Sequence, residues 1–400
     1  MSSVDVSPIL LVSLLRIGCG NTATIHRISA YLEEAGFTCL LRDPSAFKNS
    51  DDFLHFLSNN KVKACIGLHA YRSGLFLRES PVPYVLMLGG TDLNEFYKEE
   101  EKFKVMTEAV KNARFLVAFN KSLFGRALEL WPDLNPRKIW RIPQAVTVSP
   151  SAFSLLSYLE NKGDISQIQT ENIKIFLFMG SIRSVKDPFY LLSVFSEWHR
   201  QDPSIYYVLV GQEGESNYYQ VFLKTIDSLP GIIHIKGLPL EDAHTAIRDC
   251  FALVNSSVSE GMPLAVLEAM KLKTPVIARG NHGNRDIIKN GVTGFLFNSP
   301  EECMEEANRL LSDTALRNKI INSCERKIET SHSLKTEGTR YLSLVRQLLR
   351  PSPSTSSRPL VSMETRSILH KVPEHTSTPK RTYREMSGVD ADKIYVNMPC

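Results

Sequence analysis

Short apolar runs alternate with segments of helical periodicity along residues 1–150. Such runs predict the buried strands of a parallel sheet, and the periodic segments predict helices packed on its faces. The predicted strands are residues 9–15, 39–42, 64–68, 84–88, 115–119 and 139–143. The predicted helices lie near residues 24–34, 52–58 and 100–111. This alternation is typical of a doubly wound α/β domain.

The same alternation begins again after residues 151–172, whose polar and irregular composition predicts a linker. Strands are predicted at residues 173–179, 205–210, 232–236, 251–254 and 276–278, and helices near residues 188–199, 218–228 and 240–249. Two Rossmann-like domains, residues 1–150 and 173–349, would then face a cleft at the carboxyl ends of their strands, where ligands bind. Residues 350–400 have no apolar period, and we expect a disordered tail rich in Ser, Thr and Pro.

The composition excludes one class of partner. With 400 residues the chain has room for two domains with complete hydrophobic cores. Its formal net charge of +4 is too small to indicate binding to nucleic acid or to an anionic membrane. No basic stripe with interleaved aromatic residues is present. We therefore expect no nucleic-acid partner.

The apolar run at residues 8–15 has two interpretations. Asp5 stands where a secretion signal would carry basic residues, which favours a core strand. The seven cysteines are scattered without a CxxC pair, which is typical of a reducing compartment. No apolar run approaches the ~20 residues of a membrane span. We expect a cytoplasmic protein without a transmembrane segment, and a secreted one if the run acts as a signal.

Residues 251–278 carry the most informative pattern in the chain. An apolar run ends in small polar residues and in Glu260 and Gly261, a helix begins near Pro263, and a second apolar strand completes the unit. The N-terminus of such a helix presents unpaired N–H groups and a partial positive charge. The pattern predicts a ligand that places phosphates on these N–H groups and hydroxyls on the carboxylates of Glu260 and Glu268.

The spacing Glu-x7-Glu, with Glu-Gly first and Glu-Ala-Met second, resembles the donor-sugar motif of retaining GT-B glycosyltransferases of group 1, also called family 4. The resemblance implies a GT-B fold, a nucleoside-diphosphate sugar as substrate and no cofactor. It implies that Glu260 contacts hydroxyls of the transferred sugar and that Glu268 accepts from the two ribose hydroxyls. In the alternative interpretation, Glu260 is an ordinary loop charge and Glu268 a solvated helix residue.

A second motif, residues 178–188, follows the first strand of the second domain and places Arg183 and Lys186 on a loop facing the cleft. Two cations there can neutralise a diphosphate while the leaving group gains charge. The loop resembles the family's Gly-Arg-Leu…Lys-Gly element, although Ser181 replaces the usual arginine and the arginine comes two places later. Because these cations and the helix N-terminus carry the phosphate charge, the resemblance implies no metal. A solvated basic turn is the alternative.

Gly18, Gly20 and Asn21 lie in the turn between the first strand and the first helix, where glycines permit close approach to a phosphate or a sugar. By itself, Gly-x-Gly-x-x-Ala fits a dinucleotide fold equally well, and Asp43 would then bind a ribose. A dehydrogenase therefore stays open at this point. The family resemblance places the loop across the cleft from the diphosphate, near the acceptor.

His69 ends the third predicted strand and should point into the cleft. The family carries a histidine in a similar His-Ala-His setting near the anomeric carbon, so the resemblance implies a catalytic place for His69, with Tyr71 as the alternative occupant. Asp92 belongs to a Gly-Thr-Asp element after the next strand. It would contact the acceptor or cap a helix.

Gly283 and Asn284 belong to a glycine-rich turn that resembles a family element near the donor sugar or phosphate. The motifs follow the family's order from residue 9 to residue 349, and the last predicted helix, residues 337–349, would cross back onto the first domain. We expect a retaining, metal-independent glycosyltransferase with an unidentified acceptor. Because position 181 lacks the arginine, an inactive nucleotide-sugar-binding scaffold is the alternative. An epimerase or phosphorylase on this fold leaves part of the motif set unexplained.

Overall fold

The computed structural model describes residues 8–15, 20–165 and 172–351. The described residues up to Leu349 belong to one compact unit with two six-stranded sheets. Gly18 lies outside the described residues, and so does the predicted tail from residue 352 onward.

Six parallel strands form the first sheet in the spatial order 2-1-3-4-5-6. The strands are β1 (Ile9–Val12), β2 (Cys39–Arg42), β3 (Ala64–Leu68), β4 (Tyr84–Met87), β5 (Phe115–Ala118) and β6 (Ile139–Arg141). The helices are α1 (Gly20–Glu34), α2 (Ser50–Asn59), α3 (Gly74–Leu77), α4 (Gly90–Asn94), α5 (Glu100–Asn112) and α6 (Lys121–Leu130). β1, β3 and β4 are buried along their whole length, as expected for parallel strands with both faces covered.

A short helix, α7 (Leu155–Asn161), lies within the segment predicted as an irregular linker. Ser154 caps its N-terminus by accepting from Ser157 N, and Leu155 and Leu159 are buried in the core of the second sheet. Leu156 and Tyr158 also pack against that core, so the helix is amphipathic although it lies in a stretch of mostly polar composition. The irregular part of the connection is therefore shorter than the sequence predicts.

The second sheet is also parallel and has the strand order 12-11-10-7-8-9. Its strands are β7 (Lys174–Met179), β8 (Ile205–Val210), β9 (Ile232–Ile235), β10 (Ala252–Asn255), β11 (Val276–Arg279) and β12 (Phe295–Phe297). Its helices are α8 (Leu192–Gln201), α9 (Ser216–Ile226), α10 (Leu240–Asp249), α11 (Leu264–Lys271), α12 (His282–Ile287), α13 (Pro300–Ser312) and α14 (Thr314–Ser331). The predicted doubly wound α/β class is confirmed.

The last described helix, α15 (Leu334–Leu348), packs on α1 of the first domain. Four of its apolar side chains are buried in the core around the first sheet: Tyr341, Leu344, Val345 and Leu348. Within the described ranges, no helix combines the length and the apolar character that a membrane crossing needs.

A buried ion pair fixes the first turn of α15. Glu337 is 1 % exposed, and its carboxylate accepts from Arg27 at 2.6 Å and from the Tyr31 hydroxyl at 2.7 Å, both on α1. The same carboxylate accepts from Ala145 N at 3.0 Å, at the end of the first domain. Three donors from two segments of the chain therefore satisfy one buried charge.

Candidate active site

The predicted site residues lie at the carboxyl edges of both sheets, beside the points where the strand order reverses. In the second sheet β7 lies between β10 and β8, so the loops after β7 and β10 diverge and leave a crevice between them. The loop after β7 carries Arg183 and Lys186, and the loop after β10 carries Glu260. The topology thus explains why these three residues come together.

Glu260 holds a buried carboxylate, 8 % exposed, at the centre of this crevice. Its Oε1 accepts from Lys186 Nζ at 2.6 Å, from Ser257 Oγ at 2.6 Å and from Asn255 Nδ2 at 3.2 Å. Burial acts to raise the pKa of Glu260, but the Lys186 ammonium and the three hydrogen bonds outweigh it and lower this pKa below its ordinary value of 4.5. Glu260 is therefore ionised at neutral pH and lies in direct contact with the Lys186 side chain.

Further hydrogen bonds join the two loops. Val258 N donates to Val185 O at 2.9 Å, and Ser256 Oγ donates to Lys186 O at 3.0 Å. These contacts between the loops hold Lys186 and Glu260 opposite each other.

Gly283 and Asn284, predicted beside the donor, lie behind Glu260. A β-carbon on Gly283 would lie 2.4 Å from Glu260 O, so only glycine lets α12 approach this loop. Asn284 is buried, and its Nδ2 donates at 3.0 Å to Asn255 Oδ1, whose own amide donates to Glu260. Asn284 thus supports the carboxylate through Asn255, a residue that the sequence analysis did not identify.

Arg183 is 7 % exposed, and its Nε has no hydrogen-bond partner among the described residues. Its side chain packs along Gly214, where an added β-carbon would lie 3.0 Å from Arg183 Cβ. One turn links it to Lys186, whose N–H donates to Arg183 O at 3.0 Å. Because a buried cation without a counter-charge is costly, this position favours an anionic ligand.

Two helix N-termini converge at the cleft. A β-carbon on Gly20, the first residue of α1, would lie 3.0 Å from Leu264 Cδ1, at the start of α11. Asn21 is the next residue of α1. Because helix N-termini carry unpaired N–H groups and partial positive charge, the two ends favour negative charge between them.

Glu268 lies one turn further along α11. Its side chain is 17 % exposed, and its Oε1 lies 3.7 Å from His244 Nε2.

His69 adopts a backbone φ of +80°, a left-handed conformation that is rare for a side chain with a β-carbon. Its ring lies against Gly89, where a β-carbon would come within 2.5 Å of it. His69 Nδ1 lies 3.1 Å from Asp92 Oδ2, although the two groups are not aligned as a hydrogen bond. The backbone strain and the buried partner together fix this imidazole.

Asp92 is fully buried and accepts from three backbone amides: Ala70 N at 2.7 Å, Gly89 N at 2.9 Å and Tyr71 N at 3.1 Å. Burial acts to raise the pKa of Asp92, but His69 and the amides of Ala70 and Gly89 lower it. Of its two predicted roles, acceptor contact and cap, the geometry corresponds to the second, since Asp92 closes the first turn of α4. Its carboxylate holds the turn that carries His69 through the amides of Ala70 and Tyr71.

Gly261 forms a contact between the domains. A β-carbon on Gly90 would lie 2.6 Å from Gly261 N, and Asn120 Nδ2 donates to Gly261 O at 2.6 Å. Nearby, Ser122 N donates to Asp286 Oδ2 at 2.8 Å. Asn120 is recognisable in the sequence as a helix cap, since its side chain accepts from Leu123 N, but its second role across the cleft is not.

Asp43, the residue that would bind a ribose in a dehydrogenase, accepts hydrogen bonds from nearby groups of the first domain. Its Oδ2 accepts from Leu15 N at 2.8 Å, and its Oδ1 accepts from Ser45 N at 2.9 Å and Ser45 Oγ at 2.7 Å. This carboxylate caps a short helix. Within the described residues, no group of three His, Cys, Asp or Glu side chains is arranged to hold a metal ion.

The chain is similar to known proteins over most of its length. Residues 162–327 match the family described as glycosyl transferases group 1. The chain is 35 % identical over 341 residues to the glycosyltransferase 1 domain-containing protein 1 of Xenopus tropicalis, which covers 85 % of this chain and 98 % of that protein.

Two solved structures share the fold at 14 % sequence identity. HepE from Anabaena, solved with UDP and glucose, has a TM-score of 0.69 and covers 84 % of this chain and 99 % of its own. Sucrose-phosphate synthase from Thermosynechococcus elongatus has a TM-score of 0.70 and covers 86 % and 99 %. With its two facing parallel sheets and the match to the frog protein, the chain belongs to the group 1 glycosyltransferases and has the GT-B fold.

Proposed function

We propose that this glycosyltransferase moves a sugar from a nucleoside-diphosphate sugar to its acceptor with retention of the anomeric configuration and without a metal ion. The observation that carries the proposal is the pair of Lys186 and Glu260 together with Arg183, which is buried on the same loop as Lys186 and whose Nε has no hydrogen-bond partner among the described residues. This arrangement offers two cations for a diphosphate and a carboxylate for sugar hydroxyls within one crevice.

The diphosphate is the leaving group, and it gains negative charge as the bond to the sugar breaks. Arg183, Lys186 and the N-terminus of α11 would stabilise that charge, a role that a divalent metal takes in other sites. No cofactor is needed, since the chemistry is a displacement at the sugar.

Donor binding requires an exchange of partners at Lys186. In the structure its ammonium is paired with Glu260 at 2.6 Å. The donor supplies a phosphate for Lys186 and hydroxyls for Glu260, so each charged group gains a new partner when the first contact opens. We expect this exchange to make binding selective for ligands that carry both phosphate and sugar.

Glu268 would accept from the ribose hydroxyls, and His69, held by Asp92, would lie beside the reacting carbon. A UDP-sugar is the first donor to test, because HepE was solved with UDP-glucose. We also propose a cytoplasmic location, which is supported by the scattered cysteines.

Binding measurements test the assignment of the phosphate site. Arg183→Ala and Lys186→Ala should each weaken the binding free energy of UDP by about 1.5–3 kcal/mol, because each removes a charge-assisted contact. Arg200→Ala is the matched control, since that exposed cation lies on α8 in a surface pair with Glu197. Calorimetric titration that gives the same UDP affinity for all variants and the parent would refute this assignment.

Glu260→Ala should lower the affinity for a UDP-sugar and leave the affinity for UDP unchanged, since the carboxylate is assigned to the sugar. Equal losses of affinity for the two ligands would show that the role assigned to Glu260 is wrong.

Slow hydrolysis of the donor in excess EDTA, followed by NMR, tests the mechanism. We expect turnover to persist and the released sugar to appear first in the donor's own configuration; complete EDTA inhibition or an inverted sugar contradicts the proposal.

A further inference from the structure

His244 lies between the donor site and the segment that joins the two domains. It belongs to α10, which packs on α11, and it is 3 % exposed. One ring nitrogen, Nδ1, accepts from Ser149 N at 3.1 Å, and the other, Nε2, faces Glu268 Oε1 at 3.7 Å. None of the motifs in the sequence includes this histidine.

The hydrogen bond from Ser149 fixes the tautomer of the ring. An amide N–H can only donate, so Nδ1 must present its lone pair. The proton of the neutral imidazole is then on Nε2, the atom that points at the Glu268 carboxylate. A distance of 3.7 Å is beyond a hydrogen bond, but a small rotation of the Glu268 side chain would close it.

We propose that His244 is a positioning residue that donates from Nε2 to Glu268 and holds its carboxylate toward the two ribose hydroxyls of the donor. The inference rests on the proposed function, because it takes the ribose as the ligand of Glu268. A carboxylate oxygen anchored by His244 leaves its other lone pairs for the hydroxyls, so the orientation is set before the nucleotide arrives.

The same residue connects this carboxylate to the interdomain segment. Next to the Ser149 contact, Ser151 N donates to Thr245 Oγ1 at 2.8 Å and Ser151 Oγ donates to Asp242 Oδ1 at 2.6 Å. Residues 149–151 thus follow α10 closely. If this segment moves when the domains move, the His244 ring would transmit the displacement to Glu268.

Two substitutions separate the two nitrogens. In His244→Asn, the side-chain oxygen lies where Nδ1 was and can still accept from Ser149 N, but nothing reaches Glu268. In His244→Gln, the side-chain amide nitrogen lies where Nε2 was and can still donate to Glu268, but the acceptor for Ser149 is lost.

The ligands are UDP and 2′,3′-dideoxy-UDP, which has the same base and phosphates but no ribose hydroxyls. We expect His244→Asn to bind UDP about threefold to tenfold more weakly, while its affinity for the dideoxy ligand is unchanged. His244→Gln should bind both ligands like the parent. Unchanged dideoxy-UDP binding also shows that the site is folded.

The proposal is overturned if His244→Asn binds UDP like the parent, or if it loses affinity equally for both ligands. Glu268→Ala distinguishes this failure from failure of the proposed function. If Glu268→Ala does not lose UDP selectively over the dideoxy ligand, the ribose assignment itself is wrong. If it does and His244→Asn does not, only the role of His244 is refuted.

Discussion

Lys186 and Glu260 are 74 positions apart in the chain, and their charged groups meet at 2.6 Å between the ends of adjacent parallel strands. The pair unites the two motifs that the sequence suggested separately. Its strength depends on pH, because Glu260 must stay ionised.

Glu260→Gln should lower the free energy of unfolding by about 1–3 kcal/mol at pH 7, since Lys186 loses its partner while Ser257 and Asn255 keep an acceptor. The folded-state pKa of Glu260 is below 4.5, so its contribution is complete above pH 4.5 and is lost as the pH falls through the lowered pKa. Denaturant unfolding between pH 3 and pH 7 should therefore show the gap between parent and variant closing in acid.

The control for this measurement is Glu129→Gln, which breaks an exposed pair with Arg126 on α6. We expect it to change stability little at any of these pH values. A gap for Glu260→Gln that stays constant down to pH 3 would contradict the pH dependence.

His69→Gly and His69→Ala both remove the imidazole, but they differ in backbone cost. Because φ is +80°, glycine should be the more stable of the two by about 1 kcal/mol, contrary to the usual order. Both should lose donor turnover to the same extent, because both lack the ring. Thermal unfolding and turnover of the pair check this, and an alanine variant as stable as the glycine variant would show that the turn carries no strain.

Gly90→Ala should prevent the present approach of the two domains, since its β-carbon would lie 2.6 Å from Gly261 N. Overpacking of this kind costs about 1–3 kcal/mol, and here it destabilises the arrangement in which Gly90 contacts Gly261. We expect a larger radius of gyration by X-ray scattering and a raised donor KM.

Gly125→Ala is the matched control for that substitution. Gly125 lies on α6, and among the described residues nothing lies within 4 Å of its added β-carbon. Alanine there should stabilise the helix by about 0.5–1 kcal/mol and leave the radius of gyration unchanged. An identical radius for Gly90→Ala and the parent would show that the contact does not set the domain spacing.

Glu337→Gln should destabilise the protein by about 3 kcal/mol, because it leaves the buried Arg27 without a counter-charge. Glu325→Gln, which removes an exposed partner of Lys273, should stay within about 0.5 kcal/mol of the parent. Denaturant unfolding measures both. Equal effects would mean that the buried pair contributes no more than a surface pair.

Two fully buried strands have the predicted bounds. Residues 64–68 and 205–210 are covered on both sides and are therefore unbroken apolar runs. The half-buried edge strand at residues 39–42 also has the predicted bounds. The helix α7 was missed because it is only seven residues long and lies in a mostly polar segment.

For the site, the sequence could place Arg183, Lys186 and Glu260 together, because the loops after neighbouring parallel strands meet at one edge. It could not place His244 against Glu268, or Asn120 against Gly261, since those contacts depend on how helices and whole domains pack. Asp92 shows the same limit: its residue type fits an acceptor contact or a cap, and only the burial of its carboxylate distinguishes them.

The crossing of α15 has a consequence for how the protein is made. The strands of the first domain end at Arg141, yet part of its core comes from residues 341–348. A ribosome therefore releases all of the first sheet, and nearly all of the second domain, before the side chains that cover α1 exist. The domain translated first is completed last, and until then its exposed apolar surface is open to chaperones and to misassembly.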